Sequence, residues 1–264
     1  PAVPAAPTSP GEACRYPLPM LFGANSCGPE LAPLLKGAAR RAEEADWIGT
    51  LDLLSPTLDE EAESHALPAG LHYLAGRALH EIGQPDAARE HLEAAAYLAP
   101  DQPAVWIDLA RSHLTADAPR YAYRAARRAL QLSAADHRAH YVLGRALLEL
   151  KRGDEALEAF ARATEICGGD ADVWNAIGLV WLYRGELAAA RTALETAVAC
   201  ASPPAYAHNN LGVVYERLGL YEWADREYAR CLQRDPDHPT AARSRNRIAP
   251  FMAVRPWVGQ SRLR

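Results

Sequence analysis

Three arginines, Arg77, Arg111 and Arg145, recur at intervals of 34 residues, and the outer two each follow a tyrosine by four residues, Tyr73 and Tyr141. A planar guanidinium offers a fork of N–H donors that matches a carboxylate, and a tyrosine ring gives it a face to lie on. In phase with the tyrosines, the chain continues with amides, Asn175 and Asn209, the latter followed by Asn210. An amide side chain can donate to a backbone C=O and accept from a backbone N–H. Arginines beside tyrosines, followed by paired amides, suit an extended peptide that carries acidic side chains. The competing reading is a solvated face on which these arginines pair with Glu81, Glu149 and their neighbours.

Other chemistry is sparse. The sequence holds no G-x-S-x-G, no Walker loop, no H-E-x-x-H and no C-x-x-C-H, so neither an enzyme nor a cofactor is expected. His137 and His140 lie one helical turn apart and could share a metal ion, but His140 occupies a recurrent place also held by His72 and His208, which makes it structural. No metal site is assigned. Cys14 and Cys27 bracket the aromatic stretch CRYPLPMLFGANSC; in an oxidising compartment they could close a loop, worth about 3 kcal/mol in the chain-entropy picture, and otherwise they are two reduced thiols. Cys167 and Cys200 are 33 residues apart, too far for a bond across neighbouring units, and with Cys231 they read as small core residues.

The elements that would carry these residues are legible in 137–170. Its small and apolar residues at His140, Leu143, Gly144 and Leu147, then Ala156, Phe160 and Ala163, follow the spacing of a helical face. Lys151, Arg152 and Gly153 break the run, and Asp136 stands ahead as an N-cap. Two helices folded into a hairpin result. The same template recurs without a gap at 69–102, 103–136, 137–170, 171–204 and 205–238. Position 8, counted from the start of each unit, is Gly76, Ala110, Gly144, Gly178 and Gly212; position 20 is always alanine, from Ala88 to Ala224.

This pattern resembles the tetratricopeptide repeat family, most fully in 171–204, where Trp174, Ile177, Gly178, Trp181, Gly185, Ala190, Leu194 and Ala197 all fit. The resemblance implies an all-α fold, a right-handed superhelical solenoid of helical hairpins whose first helices line a concave groove. Positions 2, 5, 9 and 12 would point into it. The candidate partner-binding residues are then Tyr73, Arg77, Arg111, Tyr141, Arg145, Asn175, Asn209 and Asn210. The position-5 lysine with which some family members clamp a C-terminal carboxylate of heat-shock chaperones is missing, so co-chaperone activity is not expected.

Around the five units, 1–28 reads as a Pro-rich extension and 29–68 as a degenerate capping repeat entered at Gly28-Pro29-Glu30, with Leu34, Ala38, Ala45, Trp47 and Leu54 in register. Residues 239–264 read as a capping helix over 239–248 and a basic, apolar tail, in which Phe251 and Trp257 are candidate assembly contacts. Net charge is −5 and the pI about 6.0, which argues against a general nucleic-acid binder. No 18-residue apolar run exists, so no transmembrane segment is expected. The stretch PAVPAAPTSPG, opening on Pro1 rather than Met, suggests an exported protein, periplasmic or extracellular; an interdomain linker has the same composition. Acidic residues crowd 42–63, while 239–264 holds six arginines and no acid. The expected function is a non-enzymatic scaffold binding a protein or extended peptide in a bacterial envelope or surface assembly. Two alternatives are a head-to-tail homopolymer, filament or ring, and a regulatory subunit that positions a catalytic partner.

Overall fold

The structure, a computed structural model, describes residues 31–60 and 67–253. Cys14 and Cys27, whose bonding the sequence leaves open, the Gly28–Glu30 helix start and Trp257 fall outside those residues. The described residues form thirteen α-helices and no strand, and the architecture is an all-α helical-repeat solenoid. The chain divides into two compact bodies, with the boundary between Ile166 and Cys167.

The first body contains α1 (Ala32–Glu43), α2 (Trp47–Glu60), α3 (Ala69–Glu81), α4 (Pro85–Leu98), α5 (Pro103–Thr115), α6 (Pro119–Leu132), α7 (His137–Glu149) and α8 (Gly153–Ile166). The second contains α9 (Ala171–Tyr183), α10 (Leu187–Ala199), α11 (Ala205–Arg217), α12 (Tyr221–Arg234) and α13 (Ala241–Ala253). Helices pair in chain order into antiparallel hairpins, and within each body each hairpin packs on the next. Asp136 caps α7 as expected, accepting from the Arg138 N–H, and Asp170 caps α9 in the same way, accepting from the N–H groups of Asp172 and Val173. Pro85, Pro103 and Pro119 open α4, α5 and α6 at the place where a missing N–H costs nothing.

The turn inside each hairpin uses one left-handed residue at position 15: Gly83, Asp117, Lys151, Gly185 and Gly219, with φ from 53° to 82°. Ala45, in the α1–α2 turn, has φ 58°. Glycine enters this region freely, whereas alanine and lysine do so at a steric cost, so the hairpin packing enforces the turn at Ala45 and Lys151.

Packing across each hairpin is a matched pair. A Cβ on Gly144 would lie 2.5 Å from the Phe160 ring, on Gly178 2.5 Å from Leu194 Cγ, and on Gly212 2.6 Å from the Tyr228 ring. Gly76 faces Leu92 in the same way, at 2.7 Å. In the remaining unit Ala110 is matched with Ala126, both fully buried. Position 8 is therefore glycine where position 24 is large and alanine where it is small.

Position 4 closes the loop behind it. Trp106 Nε1–H donates to the Pro100 carbonyl at 3.0 Å, Trp174 Nε1–H to Gly168 at 2.8 Å, and His140 Nε2–H to Ala134 at 3.0 Å. Each acceptor lies six residues upstream, a carbonyl that the preceding helix leaves unpaired. In the first and last units the residue at position 4 reaches across the hairpin to position 23 instead. His72 Nδ1 lies 3.0 Å from His91 Nδ1, and His208 Nδ1 lies 2.8 Å from the buried Glu227 carboxylate, which Arg230 also contacts.

Two expectations need correction. Cys167 is buried but is not a mere small core residue: it is disulfide-bonded, while Cys200 and Cys231 are free thiols. The last helix does not stop at 248. It runs on through Pro250 to Ala253, because Ile248 is fully buried and Phe251 stacks on Tyr221 at 4.9 Å, carrying the backbone past the proline.

Candidate partner-binding surface

In the first body three of the sequence-predicted residues, Tyr73, Arg77 and Arg111, converge on a carboxylate that their periodicity does not single out. Tyr73, on α3, is 2% exposed, and its hydroxyl donates to Asp108 Oδ2, on α5, at 2.8 Å. The Arg77 guanidinium lies 3.4 Å from that oxygen and over the Trp47 and Tyr73 rings, at 5.3 and 5.8 Å. Arg111 donates to Asp108 Oδ1 at 3.1 Å and to Glu81 at 3.0 Å. Burial and the adjacent Asp108 charge hold the Tyr73 hydroxyl well above its ordinary pKa, so it stays a donor. Burial opposes the Arg111 charge, yet Asp108 and Glu81 outweigh it and raise the pKa.

Two of the three arginines are thus engaged within the chain. The third is different. Arg145, on α7, is exposed and lies over the Tyr141 ring at 6.0 Å, with no described carboxylate in ion-pair range. Tyr141 in turn packs against Phe160, at 6.0 Å. Arg138, two turns earlier, is occupied by Asp136, at 2.5 Å. His80, on α3, lies within the fields of Arg111 and Arg145; burial first, then Arg111, lowers its pKa and so favours the neutral ring.

The amides belong to the second body. Asn210 Nδ2 donates to Asn175 Oδ1 at 2.9 Å, joining α11 to α9, and the Thr240 hydroxyl donates to Asn209 Oδ1 at 3.3 Å. Tyr206 donates to Asp172 beside them. Asn175 and Asn209 are buried and Asn210 half-buried. Tyr73–Asp108 and Asn175–Asn210 are both separated by 35 residues, position 5 of one unit to position 6 of the next. That offset was the available signal for Asp108.

Of the assembly contacts, Phe251 is 56% exposed but stacked on its own chain. The helix that carries it is fastened by Arg245 to Asp225, at 2.6 Å, and by Arg247 to both oxygens of Glu216, at 2.9 Å. The bidentate bond from Arg247 holds the Glu216 carboxyl below its ordinary pKa. No group of three or more potential metal ligands occurs among the described residues, and no described helix is long and apolar enough to cross a membrane.

Models of the tetratricopeptide repeat match residues 69–102, 113–180 and 205–238. No curated protein matches. Among solved structures, the chain is similar to TTC0263, a thermophilic TPR protein of Thermus thermophilus, at 23% identity and a TM-score of 0.60, covering 70% of this chain and all of that one. Similarity to Pseudomonas aeruginosa pilF is 13% with a TM-score of 0.63, covering 83% of this chain and 96% of that one. The hetero-tetramer Cut9–Hcn1 of the APC/C gives 16% and 0.65, covering 88% of this chain and 51% of that one.

Proposed function

Because the chain belongs to the tetratricopeptide repeat family, we propose that this protein-interaction scaffold receives an extended partner segment along the first helices of its hairpins, with an acidic side chain of the partner on Arg145. The carrying observation is the division of labour among the three arginines. Arg77 and Arg111 are neutralised by Asp108 and Glu81, whereas Arg145 stands exposed on a tyrosine face with no described carboxylate in ion-pair range. A guanidinium oriented by a ring gives up little conformational freedom on binding. The amide pair Asn175–Asn210, whose second member is half-buried, supports a second, polar contact strip in the other body.

We read the chain as non-enzymatic, as is typical of the family, and its partner as a protein or peptide rather than nucleic acid. We propose an envelope or surface assembly as its setting, on the composition of the Pro-rich stretch 1–11. The head-to-tail polymer loses support from Arg245, Arg247 and Phe251, all of which are engaged within their own chain. Capture of the partner from the native source by full-length protein, compared with R145Q, tests the reading. The expected result is partner binding at least about tenfold weaker in R145Q, the scale of one charge-assisted contact, with an unchanged melting curve. Equal capture by R145Q would refute it.

A further inference from the structure

The outward face of α6 differs from that of every other helix that closes a hairpin. Its inner side is alanine, Ala122, Ala125, Ala126 and Ala129, all buried. At about 100° per residue, Arg127, Arg120, Arg124 and Arg128 fall within an arc of about 100° on the opposite side, with Tyr123 on one flank and Tyr121 on the other. From Arg120 to Arg128 the stripe is about 12 Å long. All four arginines are exposed. Among the described residues, α6 is the only hairpin-closing helix without Asp or Glu.

None of these guanidinium groups reaches a described carboxylate. Arg124 lies over Tyr121 at 5.9 Å and Arg127 over Tyr123 at 5.8 Å, while Arg128 donates to Gln131 and to the Pro100 carbonyl, both at 3.4 Å. Beside the stripe a cleft of about 430 Å³ opens between α6, α7 and α8. Its floor is apolar, Leu130, Leu143, Leu147 and Ala159, and its rim on the α6 side is Tyr123 and Arg127. The far rim carries Glu155, Glu158 and Arg162, with Glu155 paired to Arg152 at 2.5 Å, so the net acidic group there is Glu158.

Width selects the ligand. On one side α8 carries the exposed Glu158, with Glu155 held by Arg152, and on the other α4 carries Glu93, 3.9 Å from Arg89, both charges being felt at His113, a ring 5.5 Å from Tyr121. A membrane surface or a nucleic-acid strand laid across α6 would bring negative charge against those carboxylates. An acidic polypeptide one helix or strand wide would not. We propose that α6 is a second docking surface, separate from the first-helix strip, for an acidic polypeptide segment whose carboxylates lie along Arg120, Arg124, Arg127 and Arg128 and which seats one apolar side chain in the adjacent cleft. Arginine forks bind carboxylates bidentately, and the apolar floor supplies the area that charge alone lacks.

The test uses the full-length chain and a fluorescein-labelled helical peptide with glutamates on one face and a single leucine beside them. Fluorescence anisotropy should show binding that weakens at least about tenfold at high salt. R124E/R127E should abolish it and confer binding of the lysine counterpart of the peptide, while R145Q should leave the acidic peptide bound. R124Q/R127Q, which removes charge without adding any, should weaken acidic-peptide binding at least about tenfold with an unchanged melting curve. Failure of the acidic peptide to bind overturns the proposal. So does loss of binding in R145Q with retention in R124Q/R127Q, and so does preference of this face for phosphatidylserine vesicles or a single-stranded oligonucleotide.

Discussion

Asp108 organises its surroundings out of proportion to its size. One carboxylate accepts from the Tyr73 hydroxyl and from Arg111 and neutralises Arg77, with Asp108 and Arg77 side chains only 12% and 15% exposed. Removing one partner of such a group strands the others, which is more costly than the group itself is stabilising. Asp108→Ala should lower stability by about 3–5 kcal/mol in denaturant unfolding, and Asp108→Asn, which still accepts from Tyr73, by less. Equal losses for the two variants would mean that charge, not the shared hydrogen bonding, is what matters there. The arginines and tyrosines of this cluster were legible from their period, because each repeats at one position of the unit. Asp108 was not, because its bond to Tyr73 steps from position 5 to position 6, and a search along a single helical face does not connect the two.

At the level of helices, the hairpin and its close approach could be read directly from Gly144 and the alanines at position 20. What the spacing concealed was that position 8 answers position 24 residue by residue, so the four glycines meet Leu or an aromatic ring while Ala110 meets Ala126. A double-mutant cycle measures this. Gly144→Ala should destabilise by about 1–3 kcal/mol through overpacking against Phe160, and Phe160→Ala by about 3–5 kcal/mol through the cavity it leaves. Adding Gly144→Ala to Phe160→Ala should cost markedly less than Gly144→Ala alone, since the alanine then enters vacated space. Simple additivity in thermal melts would contradict the pairing. The bond at Cys167 and the run of α13 past Pro250 had no local signal. The first depends on which sulfurs approach in space, the second on a ring stacked 30 residues away in sequence, Phe251 on Tyr221.

For the molecule as a whole, the four histidines whose pKa values are lowered lie in the first body. Burial lowers the pKa of His72, His80, His91 and His113, with the His72–His91 contact adding to it at His72. Groups whose folded pKa lies below the unfolded value of about 6.5 contribute full stability above that pH. The contribution falls as pH drops through 6.5, because the unfolded chain then binds protons that the folded chain resists. The melting temperature should therefore decline between pH 7 and pH 5.5, and His72→Gln with His91→Gln should reduce the slope; a flat profile in wild type would exclude the mechanism. The pair of contacts spanning 35 residues carries a further consequence. Excising 103–136 would rejoin the chain in perfect phase, yet it would set Val142 where Asp108 had been and take away the carboxylate to which the buried Tyr73 hydroxyl donates. The repeats share a length but not an address: each is written for its neighbour, and a genome that shuffled them would keep the fold's rhythm while losing its joints.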